Sequence, residues 1–89
     1  MTGKAMQKLL HEAGIEAQKV VRKRQSGYYT ADFFVPDMQE GIASSAVWAS
    51  QITQQFAGRV TIIAAHDMVA SWRPGKPIIC ATVIFAILD

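Results

Sequence analysis

Apolar positions recur along the chain with two periods, and the changes of period divide it into six elements. Over residues 3–13, Met6, Leu9, Leu10 and Ala13 share one side at helical spacing while Lys4, Lys8 and His11 share the other, which predicts an amphipathic helix. Thr2 supplies a cap at its start, Gly14 stops it, and Ile15 is placed to pack back onto the last turn. The chain then extends through residues 16–24, turns at Gln25-Ser26-Gly27 and returns over residues 28–35, the pattern of a β-hairpin. Pro36 ends that strand. Asp37 and Glu40 have the spacing of a capping box for a second helix, with Ser44 as a rival start. Its apolar side is formed by Ile42, Ala46, Ala49, Ile52 and Phe56, with Trp48 at the margin and Val47 turned away. Gly58 is its stop. A strand over residues 59–65 follows, then His66 and Asp67 at the strand end, Trp72, and an Arg73-Pro74-Gly75-Lys76 segment suited to a type II turn.

The last element breaks the pattern of the others. Residues 78–88 carry no charge, are rich in β-branched side chains and are apolar at odd and even positions alike. A strand beneath one helical layer alternates apolar with polar, so the second face of this one calls for cover by another helix or another subunit. The elements together predict an α+β fold in the order α-β-β-α-β-β, a four-stranded, mainly antiparallel sheet with helices packed on it. No repeat or linker interrupts the chain, and residues 1–89 are expected to form a single domain.

Composition narrows the picture. A chain of 89 residues supports one small core, to which a partner or a second copy would add. With 51% hydrophobic and 18% charged residues it is too apolar to be disordered, and its longest apolar run falls well short of the roughly 20 residues of a membrane-spanning helix. The first residues interleave charges with apolar groups, unlike a secretory signal, and the single cysteine, Cys80, leaves no internal disulfide to form. A cytoplasmic location is expected.

Chemistry at a catalytic centre is not indicated. The chain has no glycine-rich phosphate loop, no Gly-x-Ser-x-Gly elbow, no His-Glu-x-x-His and no Cys-x-x-Cys, so neither an enzyme nor a cofactor is expected. His11 reads as a solvated helix residue. His66 stands beside Asp67 where general bases are often placed, but neighbours on a strand point to opposite faces, and a strand-end turn is the expected role. Cys80 is expected to be a buried small hydrophobe.

Charge gives the strongest binding signal. Lys19, Arg22, Lys23 and Arg24 place four of the nine basic residues within six positions, no acid occurs between Glu16 and Asp32, and Tyr28 and Tyr29 follow across the turn. Alternation puts Arg22 and Arg24 on one face of their strand and Tyr28, Thr30, Asp32 and Phe34 on one face of the next, two sets that can lie side by side. Arg73 and Lys76 add a second basic turn. Such a surface suits phosphates, through bidentate arginine and stacking tyrosine, or an acidic protein patch. The same charges would also protect a solvated hairpin from edge-to-edge pairing. A net charge of +2 speaks against a dedicated nucleic-acid coat. Trp48 and Trp72 are expected to pack, with Trp72 the better contact candidate of the two.

The run from Tyr28 to Leu88, a strand, a Ser-Ser-Ala-Val-Trp-Ala-Ser-Gln helix and a hairpin with a Trp-Arg-Pro-Gly-Lys turn, resembles the strand-helix-hairpin plan of small phage and mobile-element proteins, several anti-CRISPR inhibitors among them. The likeness is one of plan and carries no diagnostic residue. It implies a stoichiometric inhibitor that occludes a bacterial nucleoprotein complex, with Lys19, Arg22, Lys23, Arg24, Tyr28, Arg73 and Lys76 as the contact residues. Dodecin-like flavin-sequestering proteins are similar in plan, without a ligand motif that this chain repeats. Two other readings stand beside the inhibitor: a small nucleic-acid-binding module, and a structural or ligand-holding homo-oligomer joined through the Ile78 to Leu88 strand.

Overall fold

The computed structural model describes residues 1–36, 45–71 and 78–88. Its elements run α1 (Gly3–Glu12), β1 (Lys19–Arg22), β2 (Tyr29–Pro36), α2 (Ser45–Gln55), β3 (Val60–Ser71) and β4 (Ile78–Ile87), the α-β-β-α-β-β order of an α+β fold. The strands form one antiparallel sheet in the spatial order β1-β2-β4-β3. The apolar strand β4 is thus central, and β1 and β3 are the edges.

Local chemistry sets the helix ends. The Thr2 hydroxyl accepts the Ala5 amide at 3.1 Å, and at the other end Gly14, at φ 81°, lets its own amide and that of Ile15 return to His11 and Leu10. Ile15 is buried there. In α2 the stop falls one residue earlier than the glycine suggests. Ala57 itself adopts a left-handed φ of 51° and donates to Gln54, while Gly58, at φ 80°, donates to Thr53. The expected capping box at Asp37 and Glu40, the rival start at Ser44, and Ile42 lie outside the described residues. Where α2 begins in the described chain, the cap comes from another element: Asp67 of β3 accepts the Ser45 amide at 2.9 Å and the Ser45 hydroxyl at 3.1 Å.

Both helices cover the same side of the sheet. Met6 and Leu10 of α1 and Ala49 and Ile52 of α2 join Val20, Tyr29, Ala31, Phe33, Val60, Ala81, Val83 and Phe85 in one buried core. Trp48 packs its ring on Phe33, centroids 4.6 Å apart, and Tyr29 packs on Phe85 at 5.5 Å. Helix α1 lies close on β1 because residue 3 is glycine; a Cβ there would run into the Val20 carbonyl. The apolar side of α2 differs from expectation at one position. Ala46 is exposed, and buried Ser45 takes its place because the Asp67 cap draws that end of the helix against β3.

Strand β3 is the larger departure. Residues 59–65 were expected to form it and His66-Asp67 to turn, yet it continues to Ser71. Pairing explains the extension: β4 offers ten residues of backbone, and β3 follows them from Ile87 to Ile78, with irregularities between Ile62 and Ala64 and between Val69 and Ser71. His66 is therefore a mid-strand residue.

Candidate binding surface: the open sheet face and its basic hairpin

Register determines what each strand presents on the side away from the helices. Lys19 pairs with Asp32 and Val21 with Thr30 across the first hairpin, and these residues alternate with the buried Val20 and Ala31. On β4 the same side carries Cys80, Thr82, Ile84 and Ala86, and on β3 Ala64, His66 and Met68. Among the described residues no helix or loop covers this side. Val21, Tyr28, Phe34 and Met68 are exposed on it, Met68 by 60% and Phe34 by 44%. The demand of β4 for a second apolar environment is thus left unmet within the described chain.

Four polar residues of this face, one from each strand, lie in one line. Lys19 is opposite Asp32, Asp32 opposite Thr82, and Thr82 opposite His66, so a single row crosses all four strands. Within it the Thr82 hydroxyl donates to Asp32 Oδ1 at 2.9 Å. Beside the row on one hand stand Val21, Thr30, Ile84 and Ala64, and on the other Phe34, Cys80 and Met68. Neighbouring strands are about 4.8 Å apart, so with β4 between them His66 and Asp32 are two spacings, roughly 10 Å, apart, beyond the reach of an orienting hydrogen bond. The row is a polar seam with Val21 and Ile84 on one hand and Phe34 and Met68 on the other. Thr30 adds a buried hydroxyl without a hydrogen-bond partner.

Cys80 differs from its expected burial. It belongs to the uncovered side, is half-buried, and its thiol lies 3.9 Å from the Thr82 hydroxyl. His66 and Asp67 diverge as neighbours on a strand must: His66 is on the open face, and Asp67 reaches the other side to cap α2. His11 is exposed, its Nδ1 4.0 Å from Glu16. Val47 is exposed, and Trp48 is a half-buried packing residue. Trp72 lies outside the described residues. Among the described residues no three His, Cys, Asp or Glu side chains come together as a metal site. No described helix is long and apolar enough to cross a membrane.

The basic hairpin forms, but its side chains divide differently from the expected grouping. Lys23 donates its amide to Tyr28, which makes Arg24–Gly27 the turn and leaves Arg24 outside the strand. Arg22 pairs with Tyr29 instead of Tyr28, and so lies on the helix-covered side, where it lines a cavity of about 210 Å³ with Met6, Tyr29, Phe56 and Ile87. Lys19 and Lys23 take the position beside Tyr28 and Asp32 that alternation from the wrong starting residue had given to Arg22 and Arg24. The expected contact residues thus separate into Lys19, Lys23 and Tyr28 on the open face, Arg24 at the tip and Arg22 behind. Arg73 and Lys76 lie outside the described residues. Lys19, Arg22, Lys23 and Arg24 are all exposed, and among the described residues the sole contact of basic and acidic side chains within 4.0 Å is the one between His11 and Glu16.

Asp32, Thr82, His66, Phe34 and Met68 were missed as a group because a face is assembled from strands distant in sequence. The turn held part of the signal: closing the hairpin over Arg24–Gly27 fixes Lys23 opposite Tyr28 and every pair behind it. No protein-family model, curated protein or solved structure matches this chain.

Proposed function

We propose that this chain is a non-enzymatic binding protein whose basic hairpin occludes an acidic protein or nucleoprotein surface. The observation that carries the reading is uncommitted charge: Lys19, Arg22, Lys23 and Arg24 are exposed, and among the described residues no carboxylate lies within 4.0 Å of them. A basic cluster unpaired among the described residues can steer and hold an acidic one, with Tyr28 beside it as a further contact. The narrowest form of the reading, inhibition of a bacterial CRISPR-type complex, rests on the resemblance of plan.

The test compares the wild type with a Lys23→Glu, Arg24→Glu double variant, whose changes fall on exposed positions. Each is assayed for inhibition of guide-RNA-directed DNA cleavage, and for binding to labelled oligonucleotides at about 50 and about 200 mM salt. Inhibition by the wild type that is lost in the variant supports the reading. Tight oligonucleotide binding that collapses with salt would replace it by the nucleic-acid module. A variant that inhibits as well as the wild type would remove the hairpin from the mechanism.

A further inference from the structure

The cavity behind the hairpin joins an apolar wall to a single charged side chain. We infer that it is a binding site for a small organic carboxylate, an anionic head on an apolar body about the size of benzoate, with Arg22 holding the head. The site goes beyond the occlusion proposed for the hairpin, because it lies on the helix-covered side of the sheet, away from Lys19, Lys23 and Tyr28.

Four elements meet at this end of the sheet. Met6 comes from α1, Tyr29 from the start of β2, Ile87 from the end of β4, and Phe56 from just past α2. Met6 and Tyr29 belong to the buried core, which fixes the wall. Phe56 and Ile87 pack against that core yet are only half-buried, so apolar surface remains for an occupant. The Tyr29 ring lies on Phe85, and its hydroxyl donates to the Met1 carbonyl at 2.8 Å, which brings Met1 to the rim. The cavity measures about 210 Å³. A cavity of about 150 Å³ holds a benzene ring, whereas drug-sized ligands fill roughly 300–1,000 Å³, so the space suits a ring or short chain with one small head group.

Charge then selects the head group. Among the described residues that line the cavity, Arg22 carries the only charged side chain, and no acid stands beside it. Strand register turns Arg22 to the helix-covered side, and the hairpin turn holds its tip. A Cβ placed on Gly27 would stand 3.6 Å from Arg22 Nη2, so the guanidinium reaches back across the turn to the other side of the rim. Among the described residues no carboxylate lies within 4.0 Å of it. A guanidinium offers parallel N–H donors at the spacing of the two oxygens of a carboxylate, so a planar monoanion matches it in charge and in shape. A cation would meet like charge there, and a neutral apolar molecule would leave those donors unused.

Amide NMR titrations with benzoate, hexanoate and benzyl alcohol test the inference. At least one of the two carboxylates is expected to bind with a dissociation constant below about 2 mM and to shift the amides around Met6, Tyr29, Phe56 and Ile87. Benzyl alcohol keeps the ring without the charge and is expected to bind at least about 10-fold more weakly than benzoate. Arg22→Gln, at an exposed strand position, is expected to weaken carboxylate binding at least about 10-fold while the protein stays folded. Arg59→Gln removes an exposed cation from an adjoining cavity that shares Phe56 and Ile87, and is expected to change the affinity by less than about 2-fold. Constants above about 2 mM for both carboxylates overturn the inference, as do shifts centred elsewhere on the chain. Benzyl alcohol binding as tightly as benzoate, undiminished binding to Arg22→Gln, or an equal loss in Arg59→Gln overturns the role of Arg22. The Lys23→Glu, Arg24→Glu variant of the hairpin assay leaves Arg22 in place, so the two readings fail separately.

Discussion

The helix-covered side of the sheet and its open side are made by the same four strands, yet one is covered by α1 and α2 and the other, among the described residues, is not. Phe33 and Phe34 show the difference at adjacent positions. Phe33 is 1% exposed and stacked on Trp48, whereas Phe34 is 44% exposed opposite Cys80. On the covered side every strand has a bulky partner from α1 or α2. On the open side the central strand carries small or branched residues that partly shield one another, and the larger groups stand around them. In an 89-residue protein the two described helices are enough for one side of the sheet.

The sharpest way to break the comparison is to remove the covered phenylalanine. Phe33→Ala deletes a ring with no room to collapse around it and is expected to cost about 3–5 kcal/mol, a large share of the stability of so small a domain. Urea unfolding followed by circular dichroism measures it; a cost below about 1 kcal/mol would mean that the helices do not close this side as described. Next in size is the link between the edge strand and the second helix. Asp67→Ala removes the acceptor of both the Ser45 amide and hydroxyl and is expected to cost about 1–2 kcal/mol. Asp67→Asn, which retains one carbonyl acceptor, should recover part of that loss, a pattern that simple loss of charge would not produce.

How far the sequence was legible follows from the same two sides. The α+β class, the element order and the glycine stop of α1 could be read because each depends on residues near in sequence: a 3.6-residue period over Met6 and Leu10, a turn around Gly27, a positive φ at Gly14. What the open side contains could not be read in this way. It depends on register, and assigning Arg22 rather than Lys23 to the residues beside Tyr28 inverted the hairpin, since a shift of one residue moves a side chain to the other face. The length of β3 was hidden because His66-Asp67 looks polar enough to turn, while its extension is imposed by pairing with β4 and its acid is used by α2. The basic cluster itself was visible as composition. Its separation into an open-face part, a tip and Arg22 on the far side was not.

Smaller effects sharpen what the open side is for. Thr30 places a buried hydroxyl there without a partner. Replacing it by valine keeps the shape and β-branching and removes the desolvation cost of the unpaired group, so Thr30→Val is expected to stabilise the chain by about 1 kcal/mol in urea unfolding. A destabilisation of that size would show instead that the hydroxyl is satisfied.

The smallest expected effect completes the pair with Phe33. Phe34→Thr removes an aromatic ring but keeps a residue that suits an extended backbone, and the ring leaves much of its surface in water to begin with. The change should therefore alter stability by about 1 kcal/mol or less, several-fold below the loss from Phe33→Ala. Urea unfolding of Phe34→Thr beside Phe33→Ala measures the difference. A cost as large as that of Phe33→Ala would mean that the two faces do not differ in the way their burial implies.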